Sequence, residues 1–216
     1  MRSYRIRAVI PLLGILLLGA ISACSPATTQ PAQPQQKVMY IGGIPDQDLS
    51  VLETRFKGIA DYLSRETGVK AQYIPTVDYA ALVTAFKQGD VQLAWFGGLT
   101  GVQARLVTPG AQAIVQRPQD EKFVSVFIAQ KSLGVKSLAD LKGKTLTFGS
   151  ESSTSGHLMP RYYIQQAGLV PEKDLKAVNY SGSHDTTIKL VEAGAFQAGA
   201  LNADVWQRNV RDGKVD

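Results

Sequence analysis

From Lys37 onward, short apolar runs alternate with longer stretches in which apolar residues recur every three or four positions, so the chain reads as strand, helix, strand, helix. Residues 38–41 form the first strand run, broken by Gly42, Gly43 and Pro45. Ser50 is expected to cap the following helix, with Glu53 three residues on as its capping-box partner. Leu52, Phe56, Ile59 and Leu63 give that helix an apolar stripe, and Gly68 ends it. A strand follows at 72–74. Asp78 then caps a helix carrying Tyr79, Leu82, Val83 and Phe86, Gly89 closes it, and the apolar run 91–96 leads into Gly97 and Gly98. Strands alternating with helices in this way predict a parallel sheet with helices on its faces.

The second half keeps the same grammar. Strands are expected at 111–115, 123–129, 145–148, 175–180 and 196–201, a short helix and turn at 137–144, and helices over about 155–167 and 185–192. Tyr73 and Asp78 correspond to Tyr180 and Asp185 at an offset of 107, and Gly89 and Gln92 to Gly194 and Gln197 at an offset of 105. This faint correspondence suggests two related lobes. The expected layout is a first α/β lobe over 38–129, including a crossing strand, and a second over 130–216. A further helix begins at 206–210 just before the sequence stops, so a continuation past Asp216, and hence an incomplete second lobe, is expected.

The first residues change the picture of where the chain works. Arg2, Arg5 and Arg7 precede an apolar run over 8–21, which is a secretion leader in pattern and shorter than the roughly 20 residues a membrane-spanning helix needs. It ends in Ile21-Ser22-Ala23-Cys24, similar to the lipobox at which bacteria attach lipid to a cysteine. Residues 1–23 are therefore expected to be removed as a lipoprotein signal peptide, with Cys24 as lipid anchor. Residues 24–37, rich in Pro, Gln and Thr, would act as a flexible tether. The mature chain would sit in the periplasm or at the outer face of the cell membrane. Without the three leader arginines the formal charge falls from +5 to +2, twenty basic against eighteen acidic residues. No basic cluster interleaved with aromatics follows, so nucleic acid is not an expected partner. With one cysteine and two histidines, no metal signature is present, and no cofactor is expected.

Candidate chemistry concentrates where strands meet helices. In Gly149-Ser-Glu-Ser-Ser-Thr-Ser-Gly-His157 a strand ends, Ser150, Ser152, Ser153, Thr154 and Ser155 cluster, and a helix follows. Free amides, helix dipole and hydroxyls together favour an anion. Gly149 and Gly156 are wrongly spaced for a P-loop and no lysine follows. His184 lies in a strand-to-helix loop, where a bound dianion could draw it into the protonated form. His157 lies at the helix start, where it could touch an anion or simply pack. Tyr79, Trp95 and Phe96 stand where aromatics can wall a pocket. No nucleophile elbow of the G-x-S-x-G form exists, which argues against a serine hydrolase.

Residues 78–97, 137–144, 153–160 and 181–185 together resemble the periplasmic phosphate/phosphonate-binding proteins of ABC importers, especially the branch labelled selenate ABC transporter substrate-binding protein. The likeness covers nearly all of the chain from Val38. It implies a two-lobed periplasmic-binding-protein fold that closes like a hinged clamp, and binding without catalysis. It also implies a small oxyanion ligand and, as partner, a membrane permease with its ATPase. Carried across, Tyr79 would reach the anion from the first lobe. Ser153, Thr154, Ser155 and Gly156 would grip its oxygens from the second, and His184 would approach from the next loop. Phe96 replaces a tyrosine of phosphonate-binding relatives, and Asn202 or Asp204 stands near an acid of some relatives. Phosphonate, phosphite or phosphate is the leading ligand class. The alternatives are a selenate- or sulfate-type anion, a ligand sensor for a membrane kinase, and a hydrolase or transferase of phosphorylated compounds.

Overall fold

The computed structural model describes residues 37–215. The leader, Cys24 and the tether up to residue 36 lie outside the described residues.

The predicted alternation is present. Strand β1 (Val38–Gly43), helix α1 (Leu49–Thr67), β2 (Lys70–Tyr73), α2 (Tyr79–Gln88), β3 (Leu93–Trp95) and α3 (Gly98–Val107) build the first lobe. Its sheet is all parallel, in the order β2-β1-β3. The second lobe holds β4 (Ser125–Ala129), β5 (Thr145–Phe148), α4 (Met159–Gln166), the short α5 (Pro171–Asp174), β6 (Ala177–Tyr180), α6 (His184–Glu192), β7 (Ala198–Asn202) and α7 (Ala203–Arg211). Its sheet runs β4-β7-β5-β6, with β4 antiparallel to β7 and the other pairs parallel. The crossing strand β4 is thus hydrogen-bonded into the second sheet.

Apart from β4, the order β6-β5-β7 repeats β2-β1-β3. The repetition extends to single residues at a uniform offset of 105, which replaces the offset of 107 expected for Tyr73 and Asp78: Asp78 matches Ser183, not Asp185. The residues that precede α1, α2 and α3 are Asp48, Asp78 and Gly97; Ser153, Ser183 and Asn202, each 105 positions later, precede the π-turn before α4, α6 and α7. Gln92 accepts a hydrogen bond from the Tyr40 amide through its side-chain oxygen (2.8 Å), and Gln197 does the same for the Thr145 amide (3.0 Å). In each lobe this glutamine ties the start of the third strand to the central one. The two lobes are copies of one βαβαβα unit.

Each lobe has its own core. Ile44, Tyr79, Leu82 and Val91 pack together in the first, with Phe86 and Phe96 against them. Leu141, Leu146, Phe148, Ile164, Ala198 and Ala200 pack in the second. Burying each large side chain of this kind stabilises by about 1.5–3 kcal/mol, so the sheets are held by what lies beneath their helices.

Three expectations are corrected. The residue capping α1 is Asp48, two positions before Ser50, and its side chain makes no capping bond because Lys189 of α6 holds it. Residues 111–115 are irregular: Ile114 and Val115 are 72% and 69% exposed and have no partner strand among the described residues, so their β-branched character has nothing to pair with. The helix expected from 155 begins instead as a π-turn, Thr154–Leu158, and becomes α-helical only at Met159.

Candidate functional site

The π-turn arises from local bonding. Ser153 accepts a hydrogen bond from the Gly156 amide through Oγ (2.9 Å), and its carbonyl receives the Leu158 amide (2.9 Å). The Gly149 amide donates to the Gly156 carbonyl (2.8 Å), bringing the end of β5 flat against the turn. A Cβ on Gly156 would lie 3.1 Å from Gly149 Cα and 3.0 Å from Ser153 Oγ, so the approach requires glycine. The result is a rigid cradle in which Ser153 and Ser155 are 3% and 1% exposed. Ser155 Oγ has no hydrogen-bond partner among the described residues. Thr154 closes the cradle against the first lobe, its Oγ1 accepting from the Leu99 amide (2.8 Å).

Tyr79 is the first residue of α2, fixed by Asp78, which accepts from the Ala81 amide (2.7 Å). It is 1% exposed, and its phenol oxygen also has no partner. Burial, helped by the charge of Asp46, pushes its pKa far up; the Ser153 hydroxyl lies near enough to ease this slightly without completing a hydrogen bond. Tyr79 is therefore a neutral donor. A buried hydroxyl left unpaired costs about 1–3 kcal/mol, so two of them bordering one cradle require an explanation.

His184 stands 105 positions after Tyr79 and is the first residue of α6, as Tyr79 is of α2. It is 3% exposed. Burial, with the Arg208 guanidinium adding to it, holds its pKa down at about 4. Its Nδ1 accepts from the Asn202 amide (3.4 Å), which leaves the proton of the neutral ring on Nε2. The ring is thus a neutral donor through Nε2. Asn202 is buried, with its side-chain oxygen capping α7 by accepting from the Val205 amide (3.0 Å). Asp204 is exposed in the first turn of α7. Phe96 lies against the first core, edge-on to Phe86 at 5.4 Å between ring centres. His157 packs instead: Nδ1 donates to the Glu151 carbonyl (2.7 Å), and Nε2 accepts from Arg161 (2.8 Å). The structure thus brings together Tyr79, Ser153, Thr154, Ser155 and Gly156 at the lobe junction. His184 joins them there through its amide, which donates to the Asp46 carbonyl of the first lobe (2.9 Å).

Sequence reasoning missed the loop after β1. Asp46 is buried enough for desolvation to raise its carboxyl pKa, against the opposing influence of Gln47, Arg55 and Arg117. Gln47 accepts a hydrogen bond from Arg208 across the lobes (2.6 Å). The available signal was positional: Ile44-Pro-Asp-Gln-Asp48 follows the carboxyl end of a central parallel strand, where α/β proteins place their sites. Among the described residues, no group of three or more His, Cys, Asp or Glu side chains could hold a metal ion. An open cleft of about 420 Å³ lies elsewhere, beside β4, lined by Phe127, Lys131, Val135 and Leu141, and shares no residue with the cradle.

A family model described as ABC transporter, phosphonate, periplasmic substrate-binding protein matches residues 41–216. The chain belongs to this family. Among its relatives, a probable ABC transporter phosphite binding protein of Prochlorococcus marinus is 47% identical over 191 residues, 85% of this chain and 64% of that protein. A phosphate-import protein of Mycolicibacterium smegmatis is 27% identical, covering 85% of this chain and 61% of its own length. This phosphonate-family chain therefore spans less than two thirds of either relative. The solved structure of the Prochlorococcus marinus protein PhnD1 in complex with methylphosphonate superposes with a TM-score of 0.80 at 48% identity, covering 83% of this chain and 68% of that one. A binding protein component of a Pseudomonas aeruginosa ABC phosphonate transporter matches in fold, with a TM-score of 0.69 at 23% identity. The fold is the two-lobed α/β clamp of periplasmic binding proteins.

Proposed function

We propose that this chain is the substrate-binding component of an ABC importer and that its ligand is a small phosphorus oxyanion: a phosphonate, phosphite or phosphate. The observation that carries this reading is the pair of orphaned hydroxyls, Tyr79 Oη and Ser155 Oγ, buried without partners at a helix start where two lobes close. An oxyanion between the lobes would satisfy both. The neutral His184 Nε2–H adds a third donor, and free amides at the π-turn add more. Such a site holds charge with neutral donors and binds without turning its ligand over. The kinship with a phosphite binding protein and a phosphate-import protein supports phosphorus over sulfur or selenium.

The same reading includes a permease with its ATPase as partner, a periplasmic location and a lipid anchor on Cys24. Mass spectrometry of the mature protein tests the anchor: diacylglycerol on residue 24 is expected, and its loss in Cys24→Ser.

Calorimetric titration of the full chain with phosphite, methylphosphonate, phosphate, sulfate and selenate tests the ligand. Saturable binding of at least one phosphorus oxyanion, tighter than sulfate or selenate, is expected. Preference for sulfate or selenate would overturn the assignment.

A further inference from the structure

The lobes meet through neutral groups at Thr154 and at the His184 amide, but one corner is ionic. Asp185, next to His184 in the first turn of α6, reaches across and accepts a hydrogen bond from the Asp48 amide at the start of α1 (2.8 Å). The Asp48 carboxylate is held in turn by Lys189, one helical turn along α6, at 3.0 and 3.2 Å. The His184 amide donates to the Asp46 carbonyl (2.9 Å), and Arg208 of α7 donates to Gln47 (2.6 Å). Asn209 reaches the other oxygen of Asp185 at 3.5 Å.

The duplication of the lobes says what this corner is. Asp48 precedes α1 as Ser153, 105 positions later, precedes the π-turn of the cradle. The start of α1 is therefore the first lobe's copy of the anion-accepting junction, with its amides and the positive end of its helix dipole. A carboxylate from the second lobe sits at its edge, accepting from the amide of Asp48, the residue just ahead of the helix. The reverse contact has no counterpart, because Ala80 stands in α2 where Asp185 stands in α6.

We propose that Asp185 is a built-in counter-anion: it takes the edge of the first lobe's copy of the anion junction when the lobes close, as an external oxyanion fills the second lobe's cradle. It touches no ligand. Being joined to His184 through one peptide bond, it is a positioning residue that fastens the donor ring over the bound anion and slows reopening. This rests on the oxyanion reading given above.

The test uses the full chain, its Asp185→Ala and Lys189→Ala variants, and methylphosphonate and phosphite as probes. Losing a charge-assisted bond is expected to weaken affinity about tenfold or more in Asp185→Ala. The loss is expected in dissociation, with association changed by less than about twofold, because the latch forms after encounter. Amide hydrogen exchange at Asp48 is expected to quicken in the variant with and without probe, while residues 150–156 stay protected at saturating probe. Unchanged dissociation together with unchanged exchange at Asp48 overturns the proposal. If neither probe binds the parent chain, the oxyanion reading fails, and exchange at Asp48 in the ligand-free proteins still decides the latch. Should Asp185→Ala fail to fold, Lys189→Ala serves: about two- to threefold faster dissociation is expected from losing an exposed ion pair, and no change overturns the proposal.

Discussion

The burial of His184 makes a prediction that can be worked to a number. In the folded chain its pKa is about 4, because burial and the Arg208 charge both oppose a second proton. In the unfolded chain it returns to about 6.5. A group whose pKa is depressed by folding contributes stability above its unfolded value and loses it as pH falls towards the folded one. Here the window runs from about 6.5 down to about 4. The full effect of that gap is on the order of 3 kcal/mol, and about 2 kcal/mol of it is gone by pH 4.5. His184→Gln keeps an acceptor for the Asn202 amide and a neutral donor but removes the titration. Urea unfolding at pH 7 and pH 4.5 gives the measurement: the parent is expected to lose about 2 kcal/mol more than the variant over that interval. Asp46, whose raised pKa acts in the opposite direction, and His157, whose depressed pKa acts in the same one, are present in both proteins and cancel. An equal loss in the two proteins would refute the claim that the folded chain holds His184 neutral.

The remaining predictions concern the cradle and the loop after β1. Ser155→Ala removes a buried hydroxyl with no partner, so it is expected to stabilise the ligand-free chain by about 1 kcal/mol while weakening oxyanion affinity about tenfold; denaturation and calorimetry on one sample check both, and unaltered affinity would remove Ser155 from the site. Gly156→Ala forces a Cβ to 3.1 Å from the Gly149 backbone, which is expected to cost about 1–3 kcal/mol in thermal or urea unfolding. Asp46→Asn removes the buried carboxyl whose charge reaches Tyr79, and competition titrations are expected to show fully ionised sulfate gaining on phosphite; an unmoved ratio would exclude Asp46 from ligand discrimination.

What was legible in the sequence was local. Asp78 and Gly89 bracket α2 as predicted, since a capping carboxylate and a glycine at φ 82° act within one helix. Tyr79, Ser153 to Gly156 and His184 are readable as strand-to-helix junction residues because such junctions are visible in hydrophobic periodicity, and the structure places them there. The errors have a common cause. The sequence points to Ser50 where the structure has Asp48 ahead of α1, because the partner of the Asp48 side chain, Lys189, lies 141 positions away. Asp46, Gln47 and Arg208 were missed for the same reason, and Ile114 and Val115 suggested a strand through propensity with no neighbour to pair with. The faint repeat gained its meaning only from the shared strand order and from the matched bonds of Gln92 and Gln197.

The placement of Tyr79 and His184 at matching first turns bears on how such a protein could be re-engineered as a sensor. Each side chain is mounted on a helix whose start is pinned by its own cap, Asp78 in one lobe and Ser183 in the other. Gly149 and Gly156 lock the cradle backbone between them. The cradle is thus a fixed chassis, and positions 79 and 184 are two buried sockets beside it, each carried on its own helix. Under the oxyanion reading proposed above, a library confined to those two sockets would retune ligand preference, at a cost in packing because Tyr79 belongs to the first lobe's core.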